Sequence, residues 1–236
     1  MSSVLFILKR ELANYFHSLT AYIVVILFLL ITGGMFWLQF FEGTPTPTMR
    51  GFFSDAPLFL AFFAPAVTMG LLAEEKRAGT LELLMTMPVS DGQIVLGKFL
   101  AAVTLLSVTF LFTLPYALSV SSMGALDWGP VLGGYLGLVL LGSTYAAVGL
   151  MVSSWTKDQI VSILLGFFLC FALFILDRLF PDSKGLTAQV FEYLSSNFHF
   201  RNIARGVIQV SDIAYYLGVI AICLTVARNT LASRRW

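Results

Sequence analysis

Charge is what this chain has least of. Of its 236 residues, 14 are Lys or Arg and 13 are Asp or Glu, 11% in all, where soluble domains carry about a quarter. A surface so poor in charge cannot be kept in water. The 58% hydrophobic content and mean hydropathy of +0.88 place the chain in a bilayer. A net charge of +1 leaves no basic footprint and excludes nucleic acid as a partner. Histidine is nearly absent. His17 and His199 are isolated in sequence and fall on opposite sides of the expected membrane. Cys170 and Cys223 both sit in apolar runs and read as small buried hydrophobes, not as a disulfide or metal pair. Also missing are H-E-x-x-H, G-x-S-x-G and the phosphate-cradling G-x-x-x-x-G-K-[ST]. The chain is therefore expected to be no enzyme and to bind no cofactor or metal itself. The middles of its apolar runs hold no ionisable residue, which argues against an ion-coupled carrier. If it moves something actively, the energy comes from elsewhere. The first long apolar run begins near Ala21 with no small-residue cleavage pattern after it, so the N-terminus is expected to persist.

What the chain has in quantity is long apolar runs. Residues 4–19 have helical periodicity, with Leu5, Leu8, Leu12, Tyr15 and Leu19 on one face and Lys9, Arg10, Ala13, Asn14 and His17 on the other. This reads as an amphipathic helix in the interface, basic side to water. Spans are expected at 21–41, 58–73, 94–123, 131–153, 160–176 and 213–227. The expected fold is all-α, a single domain over 1–236 with six transmembrane helices, its second span continuing past Ala73. Pro65 and Pro115 should bend the second and third spans. Gly133 with Gly137, and Gly142 with Ala146, have the spacing that lets helices approach closely; packing within the chain is the favoured reading and subunit dimerisation the alternative. Ser90 with Gln93 and Thr156 with Gln159 form capping-box patterns before the third and fifth spans, with Val89/Ile94 and Trp155/Ile160 as staples. Lys98 should stand where the third span leaves water. Between spans five and six, residues 179–212 read as one or two amphipathic or re-entrant helices.

Six spans put both ends on one side. The short loops on that side hold the excess of Lys and Arg, including Lys76, Arg77, Lys157 and Arg228. The positive-inside bias makes both termini and the 74–93 connector cytoplasmic, in a multi-pass protein of the inner membrane.

That connector holds the densest charge in the chain: Glu74, Glu75, Lys76, Arg77 and Glu82 within nine residues. It also has helix punctuation of its own. Gly79 can end the incoming helix, Thr80 can cap a new short one, Glu82 suits its first turn and Pro88 stops it. Leu81, Leu84 and Met85 give that short helix an apolar face, which in water needs a cover.

The run Glu74-Glu75-Lys76-Arg77-x-Gly79-Thr80-Leu81-Glu82-Leu83-Leu84, followed by Pro88-Val89-Ser90, resembles the cytoplasmic signature of the type-2 ABC exporter permeases. The resemblance covers the whole chain. Phe198-His199-Phe200, Ala204-Arg205-Gly206-Val207-Ile208 and Ser233-Arg234-Arg235-Trp236 are similar to the permeases of gliding motility and of nitrous-oxide-reductase maturation. The resemblance implies that 80–87 is the coupling helix that docks on a separate ABC ATPase, and that 5–19, with Lys9 and Arg10, is the elbow helix beside it. It further implies ATP and Mg on the partner subunit and a second permease copy or related membrane subunit. A non-transporting anchor, or a mechanical subunit of an envelope machine, remains the alternative.

Overall fold

The computed structural model describes residues 3–41, 48–80, 89–124, 126–178 and 186–233. In chain order the helices are α1 (Ser3–His17), α2 (Leu19–Phe41), α3 (Arg50–Thr68), α4 (Gly70–Arg77), α5 (Asp91–Leu111), α6 (Leu114–Met123), α7 (Trp128–Trp155) and α8 (Gln159–Ile175). A 3-10 turn (Leu176–Arg178) follows, then α9 (Leu186–Leu194), α10 (Ser196–Ala204) and α11 (Val210–Ala232). No strand occurs among the described residues. Six helical stretches are long and apolar enough to cross a membrane: α2, α3 with α4, α5 with α6, α7, α8 with its 3-10 turn, and α11.

Several expected boundaries move. The second span begins at Arg50, not 58, because Pro57 lies inside α3. A proline there is tolerated because its missing N–H is a loss that the packed neighbours of a membrane helix can absorb. The sixth span starts at Val210 rather than 213 and runs to Ala232. The third span does bend, but as a break at Phe112–Thr113 ahead of Pro115, which sits in the first turn of α6. Pro115 has no N–H for the Leu111 carbonyl, and at the break the Thr113 hydroxyl donates to the neighbouring Phe110 carbonyl at 2.7 Å.

Helix α7 is the axis. At about 1.5 Å per residue its 28 residues reach roughly 42 Å, and α3, α5, α8, α10 and α11 all pack on it. Its glycines make that approach possible. A Cβ on Gly134 would meet the Phe53 ring at 2.5 Å, one on Gly137 the Phe200 ring at 3.1 Å, and one on Gly149 would collide with the Thr68 hydroxyl. The small-residue stripe thus serves packing within the chain. In α2, α8 and α11 only 22% of the membrane-crossing window is buried, and each keeps large apolar side chains exposed on its outer side, as lipid-facing helices do.

At the far end of the bundle, α9 and α10 occupy the long connection. The Asp177 side chain, only 2% exposed, accepts from Ser195 Oγ (3.0 Å), Asn197 Nδ2 (3.1 Å) and Arg201 (2.7 Å). His199 is not the isolated residue that the sequence suggests. Its Nδ1 lies 2.6 Å from Asp212 Oδ1, its Nε2 lies 3.0 Å from the Tyr193 carbonyl, and Tyr215 stacks on the ring at 4.2 Å. Its two hydrogen-bond partners lie thirteen and six residues away in sequence, yet no local motif announces the His199–Asp212 pair.

Candidate functional site: a charged joint between spans

The second span enters the charged connector through a joint at Met69. An unbroken helix would send the Leu72 and Ala73 amides back to the carbonyls of Thr68 and Met69. Instead both amides donate to Ser153 Oγ, at 3.1 and 3.0 Å, and that hydroxyl donates to the Met69 carbonyl at 2.9 Å. A side chain from the end of α7 is therefore inserted into the ladder, a recognised site of helix kinks, while Met69 itself keeps helical torsion angles (φ −55°, ψ −38°). The break expected at Pro65 is displaced to this point, four residues on. The Met69 amide still reaches the Pro65 carbonyl at 2.8 Å.

Beyond the joint, α4 is fastened twice more. Lys76 donates to the Ser154 carbonyl, one of the last of α7, where the end of a helix favours a cation. Glu75 enters a four-membered ring of charge. Lys98 Nζ lies 2.8 Å from Glu75 and 3.0 Å from Glu11, while Arg10 lies 3.1 Å from Glu75 and 2.6 Å from Glu11. Each cation serves both carboxylates, and the ring joins α1, α4 and α5. The Lys98 side chain is 1% exposed and that of Glu11 8%. Burial alone would raise the Glu11 carboxyl, but the Lys98 ammonium and the Arg10 guanidinium outweigh it and hold the group below its ordinary range.

Two expectations are corrected here. Lys98 does not mark the point where the third span leaves water; it is buried, because two carboxylates replace its water. Arg10 is not on a free basic face. Helix α1 turns Ile7 and Glu11 inward onto α5 and leaves Leu5 and Phe6 exposed, so its inner face centres on Glu11. Lys9 does face outward. Glu11 and Ser153 were not singled out in the sequence. The signal available was a lone acid in an otherwise basic and apolar helix, matched by a lone lysine two turns into the third span.

Of the remaining connector residues, Glu74, Arg77 and Thr80 are exposed. Gly79 has φ +70° with open space around its Cβ position, a left-handed conformation that glycine adopts at no steric cost. It follows Ala78, whose amide closes α4 on the Glu74 carbonyl. Thr80 is already helical, and its hydroxyl reaches back to the Glu75 carbonyl at 3.4 Å. Leu81, Glu82, Leu84, Met85 and Pro88 lie outside the described residues.

The cap at α5 has the capping-box geometry: Gln93 N to Ser90 Oγ at 3.4 Å and Ser90 N to Gln93 Oε1 at 3.1 Å. Val89 and Ile94 pack together beside Ile7. The second expected box is absent. Asp158, not Thr156, caps α8 by accepting from the Ile160 amide at 2.8 Å, and Gln159 is the first helical residue. A carboxylate directly before the helix meets both the free amides and the dipole. Thr156 instead ends α7, and Trp155 and Ile160 are exposed rather than stapled.

With this geometry in place, comparison with known proteins adds one finding. Residues 48–226 match the family model described as "ABC-2 family transporter protein". No curated protein matches the chain. The matched region takes in α3 through most of α11, so it contains the Met69 joint, Glu75, Lys98 and the connector.

Proposed function

Because the chain belongs to the ABC-2 family of transporter proteins, we propose that it is the permease subunit through which a separate ABC ATPase drives export across the cytoplasmic membrane. The observation that carries this reading is the fastening of α4. It is attached to α7 through Ser153 and Lys76, and to α1 and α5 through Glu75. A push on the connector would reach several spans through hydrogen bonds and ion pairs rather than dissipate in a loop. Glu74, Glu75, Lys76, Arg77, Gly79, Thr80, Leu81, Glu82, Leu84, Met85 and Pro88 form the coupling segment in this reading. The ATPase holds ATP and Mg²⁺; α1 is the elbow helix, and both termini are cytoplasmic, as the Lys/Arg asymmetry supports. A second copy or a related membrane subunit completes the pathway. The Phe198–Phe200 and Ala204–Ile208 runs support a place among the gliding-motility or nitrous-oxide-reductase-maturation permeases.

The test is capture of the ATPase by variants of the coupling segment. Leu84→Asp puts a charge into a desolvated contact and should cost roughly 2–4 kcal/mol of docking, by interface hot-spot magnitudes. Glu82→Ala should cost about 1 kcal/mol or less, as a rim charge does. Stable insertion of Leu84→Asp with the ATPase still bound and transport intact would overturn the coupling role.

A further inference from the structure

The joint is bordered by a cleft of about 700 Å³ between α1, α2, α3, α4 and α5, well within the range of ligand pockets. Its mouth and floor differ in chemistry. The mouth carries three carboxylates (Glu11, Glu74 and Glu75) against two cations, Arg10 and Lys98, a surplus of one negative charge. Both cations are already committed to the ring, so the uncommitted charge is that of Glu74, which has no ion pair among the described residues. The Arg10 side chain is nonetheless 34% exposed, so its guanidinium still reaches the mouth, whereas its Nε and Glu75 Oε2 are buried beneath it. The floor is apolar: Ala21 and Val24 of α2, Ala66 and Val67 of α3, and Leu105 of α5. From Ala66 to Glu74 the span rises about 12 Å at 1.5 Å per residue, so charge gives way to hydrocarbon over the depth of a headgroup region and an upper acyl chain.

We propose that this cleft binds a zwitterionic aminophospholipid, its ammonium at Glu74, its phosphate at the exposed part of Arg10 and one chain against Val24 and Leu105. A water-soluble amine has no use for the floor. An anionic lipid would bring its charge to a mouth that is already negative, and a quaternary head has no N–H to give a carboxylate. The occupant comes from the bilayer because the wall that supplies Ala21 and Val24 is α2, whose other side chains, Tyr22, Ile23, Ile26 and Leu27, are exposed apolar groups of the kind that face lipid. This inference concerns lipid bound by the chain alone. It needs no ATPase, so it stands or falls separately from the proposed transport role.

The experiment is native mass spectrometry of the full chain, released from detergent after incubation with phosphatidylethanolamine, phosphatidylcholine or phosphatidylglycerol of identical acyl chains. A photoreactive residue at position 24 reports in parallel whether the retained lipid lies in the cleft. The expected result is retention of phosphatidylethanolamine about fivefold above each of the others, the equivalent of one semi-exposed ionic contact of about 1 kcal/mol, with crosslinking at position 24. Glu74→Gln, an exposed substitution that leaves the fold alone, should bring phosphatidylethanolamine down to the phosphatidylcholine level. Equal retention of the three lipids, absence of crosslinking, or full retention by a Glu74→Gln chain that melts normally would each overturn the assignment.

Discussion

Lys98→Met removes the most buried cation of the ring and keeps nearly the same volume. The wild-type side chain is 1% exposed and its ammonium lies 3.0 Å from Glu11 and 2.8 Å from Glu75. Without it, Glu11 keeps only Arg10, and a carboxylate that is 8% exposed has no water to take the place of the lysine. Breaking a buried pair from one side costs about 3–5 kcal/mol. Because Arg10 remains and is 34% exposed, the lower end applies, about 3 kcal/mol. For a chain of this length that corresponds to roughly 6–12 °C in melting temperature. The assay is thermal melting in a single detergent at neutral pH, with Glu11→Leu and the double variant completing the cycle. Removing both members leaves no orphan charge, so the double variant should melt well above the value obtained by adding the two single losses. A Lys98→Met chain that melts within about 2 °C of wild type, or a double variant with strictly additive losses, would show that the ring is a solvated surface cluster and refute the reasoning.

Three further outcomes follow from the same geometry. Ser153→Ala strips the hydroxyl from two buried amides at the joint; either both stay unpaired, at about 1–3 kcal/mol each, or the ladder closes and α3 runs straight into α4, and a spin-label distance between positions 60 and 77 distinguishes the two. The depressed Glu11 carboxyl contributes stability that is fully present above the ordinary carboxylate range and is lost as pH falls through its lowered value, so melting temperature should fall on acidification, and fall less in Glu11→Gln. Asp177→Ala leaves Ser195 and Asn197 without their shared acceptor, and amide exchange should quicken across 186–204 while α7 stays protected.

The six crossings were legible because each is a long apolar run, and length alone decides that a helix is needed in a bilayer. The Ser90–Gln93 box was legible because its partners are three residues apart. What could not be read was every bond made between distant residues. Ser153 looks like any small residue at the end of a glycine-rich helix, and nothing local says that its hydroxyl enters a ladder eighty residues away. Glu11 and Lys98 are separated by 87 residues, so a period count assigns each to the nearest water. His199 and Asp212 are close in sequence but lie on two helices whose crossing only the packing sets. Thr156 failed as a cap for the opposite reason: the pattern was present, but Asp158, two residues nearer the helix, reaches the free amides first.

The way Ser153 interrupts the second span has a mechanical consequence. A continuous helix changes direction only by stretching ladder bonds, and resists in proportion. Here the two amides that would resist are already held by one hydroxyl of another helix, and a hydroxyl is a rotor about its own C–O bond. The angle between α3 and α4 can therefore alter with the Leu72 and Ala73 amides still paired, provided that the serine travels with them. The fulcrum of the second span belongs to α7, and a lever whose pivot is carried by its neighbour turns only when that neighbour does.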